Sequence, residues 1–285
     1  MSNKKIAVLY ICTGKYELFW SRFFQECESF FYPGLEKHYY VFTDSVNIIQ
    51  TKNKQVTAYY QIKTGWPYDT LLRFQWFMSI QDRLRDYDIC FYFNANSTFR
   101  HIVTEEVIPF PTEDKPILLW CHPNSFDDEL GDSANPERNS LSTAFIPEGT
   151  RCRCYGGGFF GGLTEAFVSM CRELRDNIQQ DLSNGIIAVW HDQSHLIKYG
   201  TCHPHIEVPK GIISEEEYVR DEEKICVIFM NKEHFGGNNN LRGYSFKERI
   251  RQWPKKIYAF MLKVGGKIGV EGLMRKIVHK KQRAN

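Results

Sequence analysis

Apolar positions along the chain fall into two rhythms. Ile6-Ala7-Val8-Leu9-Tyr10 and Tyr40-Val41-Phe42 are short apolar runs closed by polar residues, and Phe91-Tyr92-Phe93 is a third. Runs of this length between turn signals read as strands, here over residues 6–12, 39–43 and 88–93. Between and after them the apolar residues spread to steps of three and four. Residues 17–31, residues 69–85 (Leu72, Trp76, Ile80, Leu84) and residues 164–179 therefore predict helices. The alternation predicts one α/β domain with a largely parallel sheet. Residues 124–139 turn polar and rich in Pro, Gly and Asp, the composition of a mobile surface loop that could close over a substrate. Gly236-Gly237-Asn238-Asn239-Asn240 reads as a break, so the division expected is a folded domain over 1–243 and a tail over 244–285.

Composition sharpens this picture in three ways. With 42% hydrophobic residues, the 285-residue chain can bury a sizeable core, and one core is the expectation. Nine cysteines without disulfide-framework spacing, and a start that runs from Lys4 and Lys5 straight into a strand, predict a reduced, cytoplasmic protein. No segment approaches the roughly 20 apolar residues of a membrane span. Third, the net charge of +2 hides an asymmetry: residues 244–285 hold twelve Lys and Arg against Glu248 and Glu271, a local +10 that leaves −8 for the body. Within that tail Ile257, Phe260, Met261, Val264 and Ile268 follow helical steps among lysines. Such a stripe predicts a helix lying on an anionic membrane surface, at its inner face. No nucleic-acid-binding fold is recognisable, which argues against nucleic acid as the tail's partner.

Three local patterns could carry chemistry. Phe93-Asn94-Ala95-Asn96 ends a strand with two amides at i and i+2, which can face one ligand; an Asx turn is the bland alternative. Gly156-Gly157-Gly158-Phe159-Phe160-Gly161-Gly162 lacks the Lys-Ser/Thr of a phosphate-binding P-loop. His191 and His195 are four apart, as zinc ligands on a helix can be, but no Glu follows His191 in the metalloprotease manner. None of the three assigns a function alone.

Together with Tyr40-Val41-Phe42-Thr43-Asp44, Trp66-Pro67, Leu72-Arg73-Phe74, His122-Pro123, Glu137-Arg138, Ala144-Phe145-Ile146-Pro147 and Trp190-His191-Asp192-Gln193-Ser194-His195-Leu196, these runs occur in the order seen in glycosyltransferase family 6. The chain closely resembles the blood-group A and B transferases and the α-1,3-galactosyltransferases, particularly their short bacterial relatives, over roughly residues 6–245. The resemblance implies a GT-A fold, in which a Rossmann-like half holds a UDP-sugar and the other half an acceptor glycan. It places Ile11, Cys12, Thr13 and Tyr16 around the uridine and Lys232 and Arg242 over the diphosphate. Arg73, Asn94, Asn96, Gly156, Gly158 and Asp192 fall at the donor sugar, and His191 helps shape the pockets. His122, Asn135, Trp190 and Asp221 fall at the acceptor, expected to be a fucosylated galactoside carried on an oligosaccharide or a glycolipid.

Two departures from the animal members bear on mechanism. Asn94 and Asn96 stand where those enzymes carry the two carboxylates that hold a divalent cation, and neutral amides are poor ligands for hard cations. A retaining transfer without metal or other cofactor is the expectation. Gln193 stands where the family has glutamate beneath the anomeric carbon, and an amide is a weaker nucleophile or cation stabiliser. Glutamine here is either a natural variant with reduced rate or a disabling substitution, and a UDP-sugar-binding protein with little turnover is the competing reading. Glycine at 158 leaves room for an N-acetyl group, which favours UDP-N-acetylgalactosamine over UDP-galactose as donor.

Overall fold

A computed structural model describes residues 4–125, 134–219 and 224–243. The 126–133 part of the polar loop, Asp221 and the basic tail therefore lie outside the described residues. Ten strands alternate with eight helices there. The strands are β1 Lys5–Ile11, β2 Glu36–Thr43, β3 Val56–Tyr60, β4 Ile89–Phe93, β5 Ser97–Phe99, β6 Ile117–Cys121, β7 Tyr155–Leu163, β8 His205–Glu207, β9 Ile213–Glu215 and β10 Val227–Phe229. The helices are α1 Trp20–Phe30, α2 Val46–Ile49, α3 Tyr68–Leu71, α4 Arg73–Met78, α5 Gln81–Leu84, α6 Thr164–Ser183, α7 Asp192–Cys202 and α8 Gly237–Leu241.

Seven strands form one sheet in the order β3-β2-β1-β4-β7-β6-β8, and β5-β10-β9 form a smaller one. The first four strands of the large sheet are parallel, as the alternation predicts. The sheet as a whole is mixed, because the glycine-rich β7 enters antiparallel between β4 and β6. The period-2 rule then sorts β1 into two cores: Ile6, Val8 and Tyr10 face α1, while Ala7 and Leu9 face α4 and α6. Phe31, completely buried, gathers the first core by meeting Phe91 and Phe93 edge-on, each at 5.0 Å, with Phe99 at 5.9 Å. One α/β domain of the GT-A-like kind results.

Two expectations change. The helix expected over 69–85 is three short ones, because side chains compete for backbone acceptors. Arg73 Nε donates to the Thr70 carbonyl at 3.2 Å, and Ser79 Oγ donates to Trp76 O at 2.6 Å, after which Ile80 N turns to the nearer Phe77 carbonyl. The Gly-Asn run is no break. Gly236 and Gly237 adopt φ of 80° and 75°, open to glycine without strain, and they turn the chain into α8. Leu241 then lies completely buried in the first core.

Candidate active site

β1 and β4 are neighbours whose connections leave in opposite directions across the sheet, and open α/β sheets bind ligands at the carboxyl ends of such a pair. A cleft of about 690 Å³ opens there, within the range of small-molecule sites. Ile11, Thr13 and Tyr16 follow β1 into it, and Asn94 and Asn96 follow β4. Arg73 begins α4, Gly156 and Gly158 sit on β7, and Trp190, Asp192 and Gln193 surround the start of α7. His122, Lys232 and Arg242 complete the set.

Cys12 and Asn135 are placed differently. Strand alternation turns the Cys12 side chain away from Ile11 and Thr13 into the core, where burial pushes its thiol up to about 12. Asn135 is exposed at φ 40° and does not line the cleft; among the described residues its carbonyl accepts from Trp190 Nε1 at 3.0 Å.

Arg73 is 5% exposed, and its charge is answered on several sides. Nη1 donates to the Gly157 carbonyl at 2.6 Å, Nη2 lies 3.2 Å from Asp192 Oδ2, and the guanidinium stands 4.8 Å from the Tyr92 ring centroid. Asp192 Oδ2 is itself buried and has no aligned hydrogen-bond donor among the described residues, so the adjacent guanidinium is what answers its charge. Beside it His191 holds φ 57°, an unfavourable conformation for a residue with a Cβ, and its ring meets Trp66 at 4.5 Å. Burial lowers the affinity of the His191 imidazole for a proton.

The two asparagines are bound to each other. Asn94 Nδ2 donates to Asn96 Oδ1 at 2.8 Å and Asn96 Nδ2 donates to the Met230 carbonyl at 2.6 Å, so both polar atoms of Asn96 are engaged. Asn94 O also accepts from Ser97 N at 3.0 Å, a backbone turn rather than an Asx turn, and both asparagines line the cleft. A divalent cation does not fit this pair, which offers no carboxylate and, among the described residues, one unengaged amide oxygen.

The chain's late segment covers the opening. Lys15 Nζ donates to Asn240 Oδ1 at 2.7 Å, Tyr16 OH to Asn238 Oδ1 at 3.1 Å and Lys63 Nζ to the Gly243 carbonyl at 2.9 Å. This puts Lys232 Nζ 5.8 Å from the centroid of Tyr16 and Arg242 5.6 Å from that of Trp66. Burial first, then the nearby Arg242, lower the Lys232 ammonium to about 8.

The glycine strand behaves unlike the sequence expectation. A Cβ on Gly158 would stand 2.7 Å from Phe229 Cζ, and one on Gly156 only 2.2 Å from Trp120 Cζ3. The two rings, 4.9 Å apart and inclined at 68°, take up the space the glycines leave. Gly158 therefore accommodates Phe229 in this direction. Sequence reasoning missed both rings, and also Glu215, which pairs with His122 Nε2 at 3.1 Å; an apolar strand and an acidic run give no local signal of a cleft.

The family model for glycosyltransferase family 6 matches residues 1–233. The chain belongs to that family. It is 34% identical over 194 residues to the O-antigen biosynthesis glycosyltransferase WbnI of Escherichia coli, a match covering 68% of this chain and 81% of that protein. It is 29% identical over 230 residues to the globoside alpha-1,3-N-acetylgalactosaminyltransferase 1 of Gallus gallus, covering 78% and 63%. With the histo-blood group ABO system transferase 1 of Rattus norvegicus the identity is 27% over 231 residues, covering 78% and 62%. The chain thus spans less than two thirds of these animal relatives. As a family 6 glycosyltransferase it works on a nucleotide-sugar donor and a glycan acceptor. Among the described residues no helix is long and apolar enough to cross a membrane.

Gly158→Ala is expected to destabilise the chain by about 1–3 kcal/mol in urea, because the new methyl group must displace the Phe229 ring. Phe229→Leu should restore most of that loss; no restoration would place the clash elsewhere. For Lys232, the folded chain sheds its proton near 8 while the unfolded chain keeps it to about 10.5, so this residue makes stability rise with pH across that window. Urea melts at pH 7.5 and 9.5 should show a smaller rise, or a larger fall, for Lys232→Met than for the unaltered chain.

Proposed function

We propose that this enzyme transfers N-acetylgalactosamine from UDP in α-1,3 linkage to a galactoside, with retention and without a divalent cation. The observation that supports this most is that Arg73, Lys232 and Arg242 line one cleft at the carboxyl ends of β1 and β4. Like charges held together at a cleft favour an anion, and a diphosphate supplies one. In this reading Lys232 and Arg242 take the place of a metal: they bind the diphosphate and stabilise the charge that grows on UDP as the glycosidic bond breaks. Ile11, Thr13 and Tyr16 hold the uridine. The Asn94 amide and the Asp192 carboxylate take the sugar hydroxyls, while Arg73 keeps Asp192 oriented.

Gln193 lies beneath the anomeric carbon, and His122 and Trp190 bound the acceptor. Asn135 joins them by holding the Trp190 ring, and Asp221, outside the described residues, joins them through the family pattern alone. The acceptor is proposed to be fucosylated, on an oligosaccharide or a lipid. For the lipid case the basic tail would bring the enzyme to an anionic membrane surface.

The donor assignment is supported by the name of the chicken relative. A second donor, UDP-galactose, is favoured by the Phe229 ring, which fills the space beside Gly158 where an N-acetyl group would need room. The Gln193 amide favours the further reading of a UDP-sugar-binding protein with slow turnover.

Release of UDP with each donor, in the presence and absence of a fucosylated galactoside, tests these readings. Acceptor-stimulated release that is unchanged by EDTA is expected, faster with UDP-N-acetylgalactosamine; a requirement for manganese would refute the metal-free mechanism. Gln193→Glu is expected to raise kcat tenfold or more, on the order of 1.4 kcal/mol in barrier, with donor affinity nearly unchanged. An equal or slower rate would show that the amide does not limit turnover.

A further inference from the structure

Gln193 lines the cleft, but its amide nitrogen is committed behind the wall. Nε2 donates to Cys154 Sγ at 3.2 Å. The cysteine itself is held at both ends of its backbone unit. Its N–H donates to Ser125 Oγ at 2.9 Å, its carbonyl accepts from His122 N at 2.8 Å, and it packs against the small apolar group of Ala134, Ile146, Cys152 and Ile197. The backbone that carries the thiol is thus fixed relative to Gln193. Burial pushes Cys154 up to about 11, so at neutral pH it carries its hydrogen and presents sulfur lone pairs to the amide.

The two ends of a carboxamide sit on one carbon, and the terminal torsion of glutamine is broad and roughly two-fold, so nothing internal selects which end faces the cleft. Fixing Nε2 on Cys154 turns Oε1 to the cleft. The distinction is electrostatic: a carbonyl oxygen is the negative end of the amide dipole and stabilises a developing positive charge, whereas an NH₂ group in the same place would oppose it.

We propose that Cys154 is a positioning residue that holds the Gln193 carbonyl oxygen toward the reacting carbon of the donor sugar. The inference rests on the proposed place of Gln193 beneath the anomeric carbon and gives that glutamine a working role. Released from Cys154, the amide samples both orientations, and the loss falls on the transition state, where charge develops, far more than on donor binding.

The test is a double-mutant cycle on kcat and donor KM, using the full chain with its UDP-sugar and acceptor and following residual transfer over hours where it is slow. Cys154→Ala should lower kcat by about 3- to 10-fold and leave donor KM within about two-fold. Cys154→Ser, whose hydroxyl can still accept from Nε2, should recover most of the rate. In the Gln193→Ala background, Cys154→Ala should have no further effect, since there is no amide left to orient. Unchanged kcat in Cys154→Ala, a loss that serine does not rescue, or an equal loss in both backgrounds would overturn the role of Cys154 while leaving the reading of Gln193 intact. Full activity in Gln193→Ala would overturn that reading, and the inference with it.

Discussion

A guanidinium buried in the wall of the cleft joins three parts of the chain that are far apart in sequence. Arg73 opens α4, donates to the glycine strand near its start at Gly157 and holds Asp192 at the start of α7. A charge this deep is tolerable only if its hydrogen bonds and counter-charge are all in place. The requirement also runs the other way: Gly157 and Asp192 must stand where the arginine needs them. That ties β7 to α4, and it holds the strained turn at His191 that delivers Asp192 and Gln193 to the cleft. The interruption of the helix over 69–85 belongs to the same constraint, since Arg73 Nε takes the Thr70 carbonyl at the break.

The glycine strand has a second consequence. Trp120 and Phe229 come from different sheets and meet over Gly156 and Gly158, so the floor of the cleft is made of rings seated in the recess of a strand with little side chain of its own. Trp120 is held further by its Nε1, which donates to the Ile213 carbonyl at 3.0 Å. Shape at this point belongs to two aromatic residues and two glycines jointly. Changing one member alters the space available to the others, as expected for close-packed interiors.

Much of this was legible in the sequence where a single spacing carries the information. The apolar runs of β1 and β4 gave the strands. The abrupt change at Asn94 gave the loop, because a strand's end and a polar turn are both local facts. The ordered motifs of the family gathered most of the cleft residues. What the sequence withheld depends on neighbours distant along the chain. The apolar positions of 69–85 keep a helical rhythm even though backbone acceptors are diverted. Gly158 reads as empty space until Phe229, 71 positions later, is found to occupy it. Cys12 stands between two cleft residues in sequence, yet alternation turns its side chain to the other side of the strand. Glu215 in an acidic run looks like a solvated face until it meets His122.

The bonds from Lys15 and Tyr16 to Asn240 and Asn238 span more than 220 positions. They mean that residues made early and residues made late in this stretch of chain close the same wall. During synthesis β1, β2, β3 and β4 can associate early, since each finds a partner within the first 93 residues. The cleft has no complete rim until α8 has been made and Leu241 has entered the core. A chain short of that point can hold most of a sheet while the cleft still lacks the wall that α8 supplies.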